Sequence, residues 1–344
     1  MKKATSILLV IALMLALAAC GNGNNGASNT TNTGNGSSSS ANAGGNESGN
    51  SNDSATQDNG VDESKTGKLV IYTTAYDLEY NLLIEEGFRK KYPNIQIETV
   101  QAGAGELKTR IESEMSNPIA DVMYGGLVYS DWDLGLWEEY VTPNNDELPD
   151  VMKNTTGYLT FHTLQLENFI VNNEAAEKAG INPDEITSFK SLLDPRLKGK
   201  IIWADPTASS AAWNFLAHML NVNGGFESEE AWNYVDQLLA NGLVLSNSSS
   251  TVYKSVHDGE YVVGLTYEAP VVSYIEGGEG DKIRLVFMEE GTASFPFASA
   301  IVKGAKNMEN AKLLMDYFTS DEAQKLWASS TARHANSNIP TTNP

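Results

Sequence analysis

DPRLKGKIIWADPTASSAAW, residues 194–213, holds the strand-to-helix turn from which the rest of the chain can be read. Lys200-Ile201-Ile202-Trp203-Ala204 is an apolar run after Gly199, too short for a helix and rich in β-formers. Asp205-Pro206 ends it. Thr207, Ser209 and Ser210 then precede a helical pattern of Ala211, Ala212, Phe215, Leu216 and Met219. A strand that runs into hydroxyl residues at a helix start presents unpaired backbone N–H groups and the positive end of a dipole. That suits an anion or a polar ligand. The same hydroxyls also make good helix caps, and the residues by themselves leave both roles open.

On the N-terminal side the alternation recurs. Lys68 to Thr73 reads as a buried strand of the parallel type. Tyr80, Leu83, Ile84, Gly87 and Phe88 follow at helical spacing, and Pro93 stops that helix. Ile95 to Val100 alternates as a second strand, Leu107, Ile111 and Met115 mark a second helix, and Ala120 to Tyr124 is a third strand closed by Gly125-Gly126. This order predicts a parallel sheet with helices on its faces and a ligand beyond the carboxyl ends of the strands. Thr73, Thr74, Tyr76, Gly125 and Gly126 stand at such ends. On the C-terminal side come a helix near Glu229 to Leu239, then Ser246 to Ser250 before another helix. A strand from Tyr261 to Thr266 ends at Tyr267-Glu268, and the last helices carry Ala311, Leu314, Met315 and Phe318. The fold class is α/β.

The ends of the chain differ in character. Met1 to Cys20 has Lys2 and Lys3 before an apolar core, and Leu17-Ala18-Ala19-Cys20 has the form of a lipobox, in which the cysteine is acylated and becomes the first mature residue. Residues 21–66 are Asn, Gly, Ser and Thr with little that could be buried, so they read as a disordered tether. As a random coil they would span roughly 35–40 Å root-mean-square. Cys20 is the single cysteine, so no internal disulfide or thiol nucleophile is expected. With 44 acidic and 23 basic side chains the net charge is −21, which argues against nucleic-acid binding.

Catalytic patterns are missing. The four histidines, His162, His218, His257 and His334, have no metal-ligand spacing, and no HExxH or GxSxG occurs. Asp131-Trp132-Asp133-Leu134-Gly135 lacks the later ligands of a calcium loop. Neither catalysis, a cofactor nor a bound metal is expected.

DPRLKGKI followed by ADPTASSAAW resembles the solute-binding proteins of bacterial ABC importers, specifically the ferric-iron-type group. LVIYTTAY (69–76), ADVMYGG (120–126), FIVNN (169–173), GEYVVGLTYEAP (259–270) and EEGTASFPFASAIVKGAKNMENAKLLMDYFTSDEAQ (289–324) agree in the same order, so the resemblance spans nearly all of 67–328. It implies a two-lobed periplasmic-binding-protein type II clamshell, each lobe a mostly parallel sheet flanked by helices. Lobe 1 would be 67–171 with 293–344 and lobe 2 172–292, with crossovers near Phe169 to Asn173 and Ile283 to Thr292. It further implies a monomer, lipid-anchored on the outer face of the cell membrane, that hands a small solute to a permease and its cytoplasmic ATPase. The same clamshell also serves as a ligand-sensing subunit for a membrane histidine kinase.

The resemblance also bears on the ligand. Ferric-iron members hold the metal with two adjacent tyrosines, where this chain has Tyr267-Glu268, and their first-lobe histidine has no counterpart in Thr73-Thr74-Ala75-Tyr76. Iron held by Tyr267, Glu268 and an anion stays open. The hydroxyl-rich remainder favours an anionic organic solute carrying a phosphate or phosphonate. The expected ligand-binding residues are Thr74, Tyr76, Gly126, Ser209, Ser210, Ser248, Ser249, Tyr267, Glu268 and Thr292. The N-terminal reading yields a direct test: Cys20→Ser should move the protein from the membrane to the soluble or secreted fraction. Unchanged membrane retention on fractionation would overturn the lipobox assignment.

Overall fold

A computed structural model describes residues 60–336 and 338–340. The signal segment, Cys20 and all of the tether before Gly60 lie outside the described residues. The tether's last residues are tied to the folded body, since Asp62 N–H donates to Lys91 O at 2.7 Å and Asn94 Nδ2 to Glu63 O at 2.9 Å. Among the described residues no helix is long and apolar enough to cross a membrane.

Strands β1 (Gly67–Thr73), β2 (Ile95–Gln101) and β3 (Val122–Leu127) pair in parallel in the order β2-β1-β3. Helix α1 joins the first two. It opens as an α-turn over Asp77–Tyr80, widens to a π-helix over Asn81–Phe88 and closes over Arg89–Lys91. The apolar spacing read as a regular α-helix thus buries Leu83, Ile84, Gly87 and Phe88 through a wider coil. Gly87 is required there, because a Cβ would fall 2.0 Å from Tyr317 Oη. Helix α2 (Ala104–Glu114) joins β2 to β3. Strand β3 does not close at Gly125-Gly126. Both glycines adopt positive φ (75° and 73°), and the strand passes through them to Leu127 with a shift in register.

The 13-residue strand β4 (Thr160–Asn172) is the spine of the molecule. Helix α3 (Asn173–Lys178) follows, then β5 (Ile201–Ala204), α4 (Ser210–Val222), α5 (Glu229–Ala240) and β6 (Val244–Ser246). Next come α6 (Ser249–His257), β7 (Val263–Tyr267), α7 (Glu268–Tyr274), β8 (Ile283–Val286) and β9 (Ser294–Ile301). The chain ends in α8 (Met308–Thr319), α9 (Asp321–Ala328) and the two-residue β10 (Arg333–His334). The strand order is β2-β1-β3-β9-β4-β7-β5-β6, with β8 and β10 paired to β4 off this path.

Along β4 the partner changes. Residues from Thr160 to Leu166 pair with β9, and those from Glu167 onward with β7 and β8, all antiparallel. One strand therefore belongs to both lobes of the clamshell. The expected parallel order holds for β2-β1-β3 and for β7-β5-β6. The sheets as wholes are mixed, because β9 returns antiparallel between β3 and β4 and because β7 and β8 lie antiparallel on β4.

Each sheet is buried. Leu69 and Ile71 pack with Ile84, Phe88, Phe318 and Trp327 on one face of the first lobe, while Val70 and Tyr72 pack with Leu107 and Ile111 on the other. Phe169, Phe189, Trp203 and Phe215 anchor the second lobe. Asp121, fully buried, joins β1 to the start of α8: it accepts from Val70 N–H at 2.8 Å, Asn307 N–H at 2.9 Å and Asn307 Nδ2 at 2.9 Å. Removing the carboxylate leaves three donors unpaired, one buried and two part-buried. Asp121→Ala should therefore cost about 2–4 kcal/mol in denaturant unfolding. A loss under about 0.5 kcal/mol would refute this role.

Candidate ligand-binding cleft

The carboxyl ends of β1, β2, β5, β6 and β7 all open into one cavity of about 590 Å³ between the lobes. Five helices begin at its wall. Their N-cap residues, Tyr76, Gly103, Ser209, Ser248 and Tyr267, all line it. The unpaired N–H groups of these helix starts and their aligned dipoles give the cleft a positive lining that needs no formal charge. At the start of α4, the backbone N–H groups of Ser210 and Ala211 have no hydrogen-bond partner among the described residues.

The serines are brought together as expected, with their hydroxyls partly engaged. Ser209 Oγ accepts from Ala212 N–H at 3.3 Å and lies 2.6 Å from Ser249 Oγ, so the starts of α4 and α6 touch. Ser248 Oγ accepts from Ser250 N–H at 3.2 Å and meets Ser250 Oγ at 2.8 Å. Capping and lining are thus performed by the same residues. Ser210 donates its hydroxyl proton to Gly126 O at 2.5 Å and so bridges the lobes, which removes it as a free hydroxyl donor.

Thr74, Tyr76 and Gly126 line the first-lobe side. Thr74 Oγ1 is buried and has no hydrogen-bond partner among the described residues. Gly126 leaves room for it, since a Cβ there would sit 2.5 Å from Thr74 Cγ2. Tyr76 Oη lies 3.2 Å from Thr331 Oγ1. Tyr267 lines the floor, and burial pushes its phenol well above 10, so it stays neutral.

Glu268 and Thr292 are not part of the wall. Glu268, first residue of α7, is turned away into a bidentate pair with Arg333 at 2.7 and 2.9 Å, which occupies both carboxylate oxygens. Thr292 lies on the return path toward β9, its Oγ1 buried without a partner among the described residues. Sequence reading missed Gln101, Asn247, Ser250, Tyr253, Lys254 and Tyr274. Two of these were within reach: Tyr253 and Lys254 follow Ser249 and Ser250 by one helical turn, so a helix starting at Ser249 turns them to the same face. Neither Tyr253 nor Tyr267 has a hydrogen-bond partner for its hydroxyl among the described residues, although they are only 3 % and 9 % exposed.

The histidines serve structure. His162 is buried against Trp327 with rings 5.0 Å apart, and burial lowers its pKa to about 3. His218 Nδ1 lies 2.6 Å from Glu167 Oε2, His257 stacks on Tyr274, and His334 Nε2 reaches Ile339 O. Among the described residues no three His, Cys, Asp or Glu side chains are grouped to hold a metal ion.

A cleft between two lobes, lined by helix starts and hydroxyls, defines a protein that closes on a ligand rather than transforming it. The chain belongs to the family described as bacterial extracellular solute-binding protein, whose sequence profile matches residues 85–340. It is the extracytoplasmic solute-binding component of an ABC importer, not an enzyme, and its partners are a small-molecule solute, a permease and an ATPase. An uncharacterized protein of Haemophilus influenzae is 31 % identical over 270 residues, 76 % of this chain and 75 % of the relative. A putative 2-aminoethylphosphonate-binding periplasmic protein of Salmonella typhimurium is 27 % identical over 240 residues, covering 68 % of this chain and 67 % of the relative. The periplasmic binding protein AfuA of Actinobacillus pleuropneumoniae, solved with fructose-6-phosphate bound, superposes with a TM-score of 0.71 at 27 % identity. It covers 81 % of this chain and 88 % of its own.

Beneath the cleft, Glu79 sits one turn into α1 from Tyr76, buried and accepting from Tyr124 Oη at 2.9 Å. Burial pushes its pKa up from 4.5 to about 7. The folded state therefore prefers the protonated carboxyl, and its contribution to stability is full below pH 4.5 and lost as pH rises through 7. Glu79→Gln should raise stability at pH 8 by on the order of 2–3 kcal/mol and change it little at pH 4.5. Equal effects at both pH values in thermal melts would rule this out.

Proposed function

We propose that the solute is a small organic anion bearing a phosphate or phosphonate, and that the protein acts as a monomer anchored through lipid on Cys20. The observation that carries the ligand class is the meeting of two helix starts at Ser209 Oγ and Ser249 Oγ, 2.6 Å apart. Helices α4 and α6 come from different crossovers, so their positive ends add at one point where the N–H groups of Ser210 and Ala211 are unpaired. A tetrahedral anion with several acceptor oxygens fits such a point. The names of two relatives, one for 2-aminoethylphosphonate and one with bound fructose-6-phosphate, support the same class.

Iron fits less well. Tyr267 is held neutral by burial, its sequence neighbour Glu268 is committed to Arg333, and the first-lobe wall offers Thr74 rather than a histidine. In this reading closure follows when the anion touches both lobes, and the closed complex is what the permease receives.

Calorimetry with phosphorylated sugars, phosphonates and ferric citrate tests the ligand class. At least one phosphorylated or phosphonate compound should bind, and Ser209→Ala with Ser249→Ala should weaken it by about one to three decades. Tight ferric binding lost in Tyr267→Phe, with no response to any phosphorylated or phosphonate compound, would overturn the assignment.

A further inference from the structure

The walls of the cleft are not electrically alike. Lys254 is the one lysine or arginine among the described residues that line it, and no carboxylate of those residues lies within 4 Å of its ammonium. It stands on α6, one turn beyond Ser250, on the side where the helix starts meet. The first-lobe side carries Asp77 and Glu106, at the starts of α1 and α2. Among the described residues the Asp77 carboxylate accepts only a long bond from Gln101 Nε2 at 3.3 Å, and the Glu106 carboxylate has no partner.

Tyrosines line the same cleft. Tyr253 and Tyr274 line the cleft, and Asp77 is close enough to both to contribute to the upward shift of their phenols. Tyr253 packs edge-wise with Tyr267 and Tyr274, with ring centroids 6.4 and 6.2 Å apart. A carboxylate and tyrosine rings lining one cavity can together attract an ammonium group, through charge and through the ring quadrupole.

Two carboxylates on the rim of a purely anion-selective cleft would oppose the solute they are meant to admit. Helix-dipole stabilisation accounts for an acid at each helix start but not for a free lysine on the facing wall. Tyr253 and Tyr267 are more than nine-tenths buried, and their hydroxyls have no hydrogen-bond partner among the described residues, so the space between is lined for polar contact. We propose that the cleft takes a bipolar solute, its phosphate or phosphonate at Lys254 and the ends of α4 and α6, its amine at Asp77 between the tyrosine rings. This rests on the reading of the cleft as an anion site and adds the class of the opposite end.

Matched pairs test it with the full-length protein: O-phosphoethanolamine against ethyl phosphate, and glucosamine 6-phosphate against glucose 6-phosphate. In at least one pair the amine-bearing compound should bind tenfold or more tightly. Asp77→Asn should shrink that preference below about threefold, the loss falling on the amine-bearing member, whereas Lys254→Met should weaken both members by about tenfold. A thermal melt confirms that each variant is folded. Phosphate binding without preference in either pair, or a preference untouched by Asp77→Asn, overturns the bipolar assignment and leaves the anion site standing. No binding by any of the four compounds or by the wider phosphate and phosphonate panel defeats the anion site and this inference with it.

Discussion

Everything in the molecule hangs on the change of partner within β4. At Leu166 the strand is still laddered to β9, and at Glu167 it is laddered to β7. Each lobe grips its own half of one continuous backbone, so relative motion concentrates where neither ladder is complete. The change of partner is pinned by specific contacts: Glu167 N–H donates to Ala293 O at 3.1 Å, and its carboxylate meets His218 at 2.6 Å. His218 belongs to α4, whose first turn lines the cleft. The change of partner and the ligand wall are therefore tied to one helix, His218 standing about 12 Å along its axis from Ser210.

Much of the fold was legible because the strands and helices are defined locally. Apolar runs of four to seven residues, broken by Pro93, Gly199 and Asp205-Pro206, become the parallel strands, since burial on both faces demands that pattern. The antiparallel parts were not legible. Nothing within 160–172 announces that its two halves join different sheets, because that depends on β7 and β9, which arrive about 100 and about 130 residues later. The π-helical turn in α1 was hidden for a similar reason. Within it Gly87 packs against Tyr317, a neighbour that no local pattern reveals.

The cleft divides the same way. Residues at strand ends and helix starts, such as Thr74, Tyr76, Ser209 and Ser249, follow from the topology of an open α/β sheet and were readable. Glu268 stands at such an end yet is claimed by Arg333, 65 positions onward, and Ser210 is claimed by Gly126, 84 positions back. Pairing at that distance in sequence leaves no trace in spacing. Tyr253 and Lys254 were missed through incomplete use of the helical repeat, not through any long-range effect.

The approach of α2 to the opposite lobe has a mechanical consequence. Gly105 N–H donates to Ala208 O at 3.0 Å, and a Cβ on Gly105 would lie 2.8 Å from Thr207 O; Gly103 is similarly close to Asn247 O. Backbone meets backbone here, with no side chain between. The jaws thus have a built-in stop, like a caliper with a fixed zero. How far they shut is decided by the protein's own main chain and not by the girth of what they hold.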